Sequence, residues 1–383
     1  AGIQQSESYS IEVTQIMFSL QRSSASSGSE SSDPCEYVFE IDSVSDGSAL
    51  ISSMSDHTVS FTDRTELRTI SKTKAHKSTI NRIEASKMSP HLLFSCSDDK
   101  KAFGWDARCF DKPVLQIGHQ EEVTALSAGV NGTLLATASG TSIYFYDIRA
   151  FNGTSSVVQH PGKLGVYSDA HSDMITQLKF HPNKSHILTS AAEDGLICSY
   201  DTSVKAEEDA VMSVLNSECP VGRFGYFGVE NEGIYSLSTV ETLSFWHFPS
   251  AQRVAHFPTI REELASDYLV DCFCTPNTND VYLLAGDYRG EGVIAQIQPN
   301  RFDVVGGLAT GHNANIRCCN ARFGAGASIN GIDLVTGGED SRLCRWGVSA
   351  STANPSNQQQ LHHQHHHQES LGGIKGKKDS SKL

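Results

Sequence analysis

The chain has 383 residues, of which 38% are hydrophobic and 19% charged, with 31 Gly and 11 Pro. This composition is too apolar for a disordered chain and too often interrupted for long helices, which leaves a few average domains or one large repeat domain. The 44 acidic and 30 basic residues give a formal charge of −14. Because phosphate contacts need Lys and Arg, this balance argues against nucleic acid and favours a basic protein partner.

The N-terminal sequence lacks the charged and apolar regions of a signal peptide, and no apolar stretch approaches the roughly 20 residues of a membrane span. The ten cysteines are scattered, and the close pairs Cys272/Cys274 and Cys318/Cys319 do not form a zinc-ligand array. We therefore expect a soluble intracellular protein with reduced core cysteines, no metal and no cofactor.

The first predicted element is a strand at Tyr9–Ile16, where apolar and polar residues alternate. Residues 21–34 are rich in Ser and are predicted to form a flexible surface loop. The later apolar runs are short and bounded by Gly, Ser, Asn or Asp, which indicates many brief strands.

One pattern recurs along most of the chain. A His precedes two spaced apolar residues and an apolar run with small residues, and an Asp and then an aromatic residue or Trp-Asp pair follow. The clear copies begin at His76, Gly118-His119, His171 and Gly311-His312, and they end at Trp105-Asp106, Tyr146-Asp147, Tyr200-Asp201 and Trp346. Three weaker copies, near Asp56–Asp63, Ile234–Trp246 and Val281–Ile294, bring the number to seven.

These residues resemble the WD40 repeat family, and their order is similar to that of the WD repeat-containing protein 89 branch. The resemblance implies an all-β fold, a seven-bladed WD40 β-propeller over residues 9–348 that is closed by an N-terminal strand. Tyr9–Ile16 would supply that strand. A disordered tail rich in Gln, His and Lys would follow at residues 349–383.

The family resemblance also implies a hydrogen-bonded structural network within each blade, because buried polar groups must satisfy one another. Its expected members are His76, Ser95, Asp99 and Trp105 in the second blade, His171 and Asp194 in the fourth, and His312, Asp340 and Trp346 in the seventh. Gly140 stands where the third blade should carry its Asp, so that network should be weaker.

Catalytic motifs are missing from the sequence: there is no phosphate-binding loop, no His-Glu-x-x-His and no Gly-x-Ser-x-Gly. Gly222, Gly225 and Gly228 are spaced wrongly for a dinucleotide loop. The His and Asp residues fall at repeat positions, where the fold explains them. We expect a non-catalytic interaction scaffold that is a monomer within a larger complex.

The repeat His and the repeat Asp of each blade should open on one face, the top, so their neighbours should surround the channel. The acidic neighbours are Asp98, Glu121, Glu122, Asp173, Glu193 and Glu339. Such a rim would attract a Lys/Arg-rich segment, and ribosomal proteins and histone tails are the obvious basic clients. The alternative is that solvated turns are often acidic without any partner.

Two successive copies end in an aromatic residue, Asp, any residue and Arg, which places Arg108 and Arg149 at equivalent positions. This ending resembles the box through which substrate receptors of cullin-4 ubiquitin ligases meet the ligase adaptor on the bottom face. Most of the box is the repeat itself, so only the two arginines add information. Ligase reception is the alternative function.

The tail contains two further motifs. The His-rich stretch at residues 361–368 could bind a transition metal, although a low-complexity polar tract is the simpler interpretation. Ser381, Lys382 and Leu383 match a peroxisomal targeting signal. We expect a cytoplasmic or nuclear location, with the peroxisome as the alternative.

Overall fold

The structure is a computed structural model that describes residues 17–24, 36–149, 158–159, 162–276, 278–324 and 328–348. Its strands form seven sheets, and each sheet has four antiparallel strands that are neighbours in sequence order. There are two exceptions. The second sheet has a fifth strand, and the last sheet takes its fourth strand from the N-terminal end of the described chain. The predicted all-β, seven-bladed propeller closed by an N-terminal strand is confirmed.

The strands follow the repeats along the chain. They are β1 (Phe18–Ser23); in blade 1, β2 (Val38–Ser43), β3 (Ala49–Met54), β4 (Thr58–Asp63) and β5 (Thr69–Lys74); in blade 2, β6 (Ile80–Ala85), β7 (Leu92–Ser97), β8 (Lys101–Asp106) and β9 (Leu115–Gly118). Blade 3 has β10 (Val123–Ala128), β11 (Leu134–Ser139), β12 (Ser142–Asp147) and β14 (Lys163–Tyr167), while β13 (Val158–Gln159) pairs in parallel with β9. Blade 4 has β15 (Ile175–Phe180), β16 (Ile187–Ala192), β17 (Leu196–Asp201) and β18 (Val211–Asn216).

Blade 5 has β19 (Val221–Phe227), β20 (Gly233–Ser238), β21 (Leu243–His247) and β22 (Gln252–Phe257), and blade 6 has β23 (Tyr268–Cys274), β24 (Val281–Gly286), β25 (Gly292–Gln298) and β26 (Arg301–Leu308). Blade 7 has β27 (Ile316–Phe323), β28 (Ile332–Gly338), β29 (Leu343–Val348) and β1. The helices are α1 (Glu207–Ala210) and α2 (Ile260–Glu263), with 3-10 turns at Phe248–Ser250 and Ile329–Gly331. In the part of the chain that the structure covers, no helix has the length and apolarity that a membrane span needs.

The four strands of a blade are antiparallel, so their connections alternate between two faces. The top face carries the turn between the second and third strands and the connection to the next blade. The bottom face carries the connections between the first and second strands and between the third and fourth. The strand that begins each blade lines the central channel.

The core lies between neighbouring blades rather than inside any one of them. Ile51 and Phe61 of blade 1, for example, belong to the same apolar cluster as Ile83 and Trp105 of blade 2. A single sheet would leave both of its apolar faces in water, so each blade depends on two neighbours. Nine described cysteines are free thiols, and Cys109 is exposed rather than in the core.

Closure of the ring depends on β1, which pairs antiparallel with β29 and places Leu20 opposite Trp346. The closing strand is therefore Phe18–Ser23, whereas the predicted Tyr9–Ile16 lies outside the described residues. The predicted loop over residues 21–34 is corrected at its start, because residues 21–23 continue this pairing as far as Ser23 opposite Cys344. Residues 25–35 lie outside the described ranges.

A buried ion pair joins blades 1 and 7 beside the closing strand. Arg64 of blade 1, whose side chain is only 3% exposed, donates from Nε to Asp333 of blade 7 at 2.8 Å. It also donates to the side-chain oxygen of Asn320 at 2.6 Å. Arg345 donates to the other Asp333 oxygen at 2.6 Å. The Asp333 carboxylate therefore binds two guanidinium groups where blades 1 and 7 meet, a contact that we call the seam.

Replacement of Asp333 by Ala should destabilise the propeller by about 3–5 kcal/mol, because it leaves the buried Arg64 guanidinium without its carboxylate. Urea unfolding followed by circular dichroism would measure the loss. The matched control is Glu66→Ala, which breaks an ion pair with Arg22 at the same seam between side chains that are 56% and 51% exposed. That control should cost less than about 1 kcal/mol, and an equal loss in both variants would contradict the importance of the buried pair.

Candidate functional site

The repeat His and Asp residues meet inside their blades as hydrogen-bonded networks. In blade 2, His76 Nδ1 lies 3.1 Å from the Asp99 carboxylate, and Nε2 lies 2.8 Å from the Ser95 hydroxyl. The Trp105 indole N–H donates to the same hydroxyl at 2.9 Å. Equivalent networks join His171, Asp194, Ser190 and Tyr200 in blade 4 and His312, Asp340, Thr336 and Trp346 in blade 7. These hydrogen bonds give the His–Asp pairs a structural role within their blades.

The histidines of blades 7 and 3 have different surroundings. Burial acts to lower the pKa of His312, but the interactions with Asp340 and Cys344 together outweigh it and raise the pKa to about 9. His119 of blade 3 has Gly140 in place of the Asp, and its Nε2 contacts only the Thr137 hydroxyl, at 3.1 Å. Burial, helped by Lys163, lowers the pKa of His119 to about 4. Blade 3 therefore has a neutral histidine and no turn carboxylate.

An acidic cleft opens on the top face where blade 3 lacks its Asp. It has a volume of about 440 Å³ and is lined by Lys100, Glu121, Glu122, Thr124, Gly140, Thr141, Asp173 and Met174. Gly140 has a φ of +62°, and a Cβ at this position would lie 2.7 Å from Glu121 Oε2. The missing side chain thus lets the Glu121 carboxylate lie against the turn. We call this feature the blade 3 cleft.

Three of the six predicted rim residues, Glu121, Glu122 and Asp173, meet in the blade 3 cleft and are exposed. The other three lie apart from it. Asp98 accepts a hydrogen bond from Asn81 at 2.6 Å, and Glu339 forms an ion pair with Arg317 at 2.5 Å. Glu193 is exposed, with its backbone N–H bonded to Met174. None of the six lines the channel cavity itself.

Arg108 and Arg149 lie on the bottom face at the ends of β8 and β12. Each guanidinium folds back onto the Asp two residues earlier, Arg108 Nη2 to Asp106 at 2.6 Å and Arg149 Nη2 to Asp147 at 2.5 Å. The arginine side chains remain 58% and 71% exposed. The two blades therefore present the same fixed cation at equivalent positions.

The central channel contains a polar network that the sequence analysis missed. The cavity has a volume of about 810 Å³ and is lined by residues of all seven inner strands. Glu40 forms an ion pair with Arg82 and accepts the Ile83 N–H at 2.9 Å. Arg223 lies 3.4 Å from Asp271. These charges are therefore held by partners on neighbouring blades.

Side chains of the inner strands also satisfy backbone groups of the next blade. Gln177 accepts the Phe224 N–H at 2.6 Å, and Lys179 donates to the Phe224 carbonyl at 2.8 Å. These contacts satisfy backbone N–H and carbonyl groups on the edge of the inner strand of blade 5, which would otherwise lack hydrogen-bond partners. The sequence feature that could have predicted this channel network is the alternation of polar and apolar residues in the inner strands, such as Glu40-Ile41-Asp42.

The targeting residues Ser381, Lys382 and Leu383 and the His-rich stretch lie outside the described residues. Across the ranges that the structure covers, no group of three or more His, Cys, Asp or Glu residues could hold a metal ion. Burial raises the pKa of Cys274 and of Cys318 to about 12, so both thiols stay protonated at neutral pH.

The chain is similar in sequence to known proteins. The family model described as "WD domain, G-beta repeat" matches residues 66–106, 111–147 and 163–201. The WD repeat-containing protein GTS1 of Arabidopsis thaliana is 30% identical over 329 residues, which is 81% of this chain and 81% of that protein. This chain belongs to the WD-repeat family. The resemblance inferred from the repeats is confirmed.

Two more relatives bear on function. The WD repeat-containing protein 89 homolog of Dictyostelium discoideum is 26% identical over 351 residues, 90% of each chain. Histone acetyltransferase type B subunit 2 of Debaryomyces hansenii is 31% identical over 175 residues, 42% of this chain and 40% of that protein. WD-repeat propellers typically act as non-catalytic scaffolds that bind protein partners.

Glu84 of this WD-repeat protein should make its stability depend on pH. Burial in the channel wall raises the pKa of Glu84 from 4.5 to about 7. The unfolded chain therefore loses this proton first, and stability falls as the pH rises from about 4.5 to about 7. Glu84→Gln keeps an acceptor for the Ala128 N–H but does not titrate. At pH 8 it should be more stable than the wild type by on the order of 1–3 kcal/mol, with a smaller difference at pH 5.

Thermal and urea unfolding at pH 5 and pH 8 would measure this dependence. Glu208→Gln is the control, because Glu208 is exposed on α1 and its replacement should change stability by less than about 0.5 kcal/mol at either pH. An unchanged or destabilised Glu84→Gln variant at pH 8 would show that the ionised carboxylate is not a cost to the fold.

Proposed function

We propose that this chain is a non-catalytic scaffold that binds a Lys/Arg-rich protein segment at the blade 3 cleft. The observation that supports this function is the grouping of three exposed carboxylates, Glu121, Glu122 and Asp173, around one concave surface. Among the described residues that line this cleft, Lys100 is the only base, and its ammonium donates to the Gln120 carbonyl at 3.0 Å. The cleft therefore has acidic groups in excess.

Charge complementarity supports a basic client. The formal charge of −14 attracts a cationic segment over a distance, and the cleft offers fixed carboxylates where it docks. His119, with its pKa lowered to about 4, adds no positive charge beneath the turn. One relative is named as a subunit of a histone acetyltransferase, and histones are basic proteins. We propose histone tails or ribosomal proteins as the class of client.

The triple variant Glu121→Lys, Glu122→Lys and Asp173→Lys should weaken binding of a short synthetic Lys/Arg-rich peptide by at least about tenfold. Fluorescence anisotropy over a range of salt concentrations would measure the affinity, and the salt dependence should also fall. The control variant reverses three exposed acids on the bottom face, Glu66, Asp111 and Glu230, and so changes the net charge equally. Equal weakening in both variants would mean that net charge alone, and not the cleft, binds the peptide.

A second candidate function is substrate reception for a cullin-4 ubiquitin ligase. The observation that favours it is the matched pair Arg108 and Arg149, exposed on the bottom face of adjacent blades. Because each guanidinium is held by its own Asp, an adaptor would meet two oriented cations with little loss of side-chain entropy on binding.

Replacement of both Arg108 and Arg149 by Ala should abolish co-purification of the ligase adaptor with the chain and leave peptide binding at the cleft unchanged. Affinity capture followed by mass spectrometry would test this. Replacement of Arg289 by Ala is the control, because its side chain is 87% exposed on the turn between β24 and β25 at the top face. Absence of the adaptor from the wild-type capture would rule out this candidate.

A further inference from the structure

An apolar groove lies at the bottom end of the interface between blades 5 and 6. Its volume is about 300 Å³, and Phe227, Phe245 and Ile297 are among its apolar residues. Val254 of β22 lines its edge and is 50% exposed. The rings of Phe227 and Phe245 meet edge to face at 5.4 Å, so the groove has an ordered aromatic wall.

Most other blades cover the corresponding position with their own chain. The connection between the third and fourth strands inserts an apolar side chain into the interface with the preceding blade. The buried side chains that do so are Leu67 in blade 1, Phe110 in blade 2, Ile148 in blade 3 and Phe248 in blade 5. In blade 4, Val204 packs at this position.

Blade 6 lacks such a cover because its connection between β25 and β26 consists of only Pro299 and Asn300. Its third strand also has a smaller side chain there: Ile297 pairs with Val281, where the equivalent pair in blade 2 is Trp105 with Leu93. In blade 2, the Phe110 ring lies 5.7 Å from the Trp105 ring. The groove is the space that these two aromatic side chains occupy in the regular blade.

We infer that this groove binds one large apolar side chain, of the size of Phe, from a short segment of a partner protein. The occupant follows from the repeat, since blade 2 fills the same position with Phe110 and blade 5 with Phe248. Glu232 lines the groove, with one carboxylate oxygen accepting the Glu230 N–H at 2.8 Å, and the lining residues, all within the described ranges, include no Lys or Arg. A Lys or Arg beside the apolar residue would therefore pair with Glu232. The groove is on the bottom face, so it does not depend on the function proposed for the top face.

The experiment uses the full chain with carbon-13-labelled methyl groups and the capped peptide Lys-Phe-Lys, with Lys-Ala-Lys as the matched probe. Lys-Phe-Lys should shift the NMR signals of the methyl groups of Ile297, Val281 and Val254, and Lys-Ala-Lys should not. Val254→Arg places a charge at the groove edge, and Ile297→Phe fills the groove from inside. Each should weaken binding by at least about tenfold. Val214→Arg, at a 47% exposed position on the outer strand of blade 4, is the control that should bind normally.

Several results would overturn the inference. They are the absence of shifts at the groove methyl groups, equal binding of Lys-Ala-Lys, or unchanged binding by Val254→Arg when its thermal unfolding matches that of Val214→Arg. The groove could instead be filled by a second copy of the chain, and analytical ultracentrifugation tests this. If the wild type forms a dimer that the Val254→Arg substitution dissociates, the occupant is the second copy and the inference is overturned. Glu232→Gln should reduce the preference for Lys-Phe-Lys over Gly-Phe-Gly, and an unchanged preference would remove the flanking base from the proposed partner.

Discussion

A blade of this propeller has two apolar faces and can bury them only against two neighbouring blades, so every blade depends on closure of the ring. The chain closes the ring with its own N-terminal strand, which pairs with β29 and places Leu20 against Trp346. The Arg64–Asp333 ion pair, in which the arginine side chain is buried, also joins the first and last blades. Stability of the first and last blades is therefore coupled, although their sequences stand at opposite ends of the fold.

The strands are buried by packing between blades, so the connections between strands are the parts of the ring that can bind a partner. The two concave sites proposed here both arise where the repeat is interrupted. The blade 3 cleft lies where Gly140 replaces the turn Asp, and the groove lies where the short Pro299–Asn300 turn and Ile297 replace a covering loop and a Trp. A regular blade fills these positions itself, so loss of a structural residue leaves surface that a partner can occupy.

The charged residues of the channel are paired, whereas those of the blade 3 cleft are exposed. In the channel, Glu40 and Arg223 are held by ion pairs or backbone groups of adjacent blades, and such buried charges maintain the geometry of the ring. At the blade 3 cleft, Glu121 and Glu122 are exposed and lie near few cations, so their field acts outward. Glu339 was also predicted to lie on the rim, yet it forms an ion pair with Arg317.

The sequence by itself determined the fold, because the spacing from His76 to Asp99 and Trp105 recurs often enough to define blades, and the network needs all of its members together. It also identified Gly140 as the irregular turn. Only the tertiary structure decided that the closing strand is Phe18–Ser23, since the alternation at Tyr9–Ile16 fits a strand equally well. The cleft, the channel network and the groove likewise depend on which residues of adjacent blades meet, and contacts between residues far apart in the chain leave no periodic signal within one repeat.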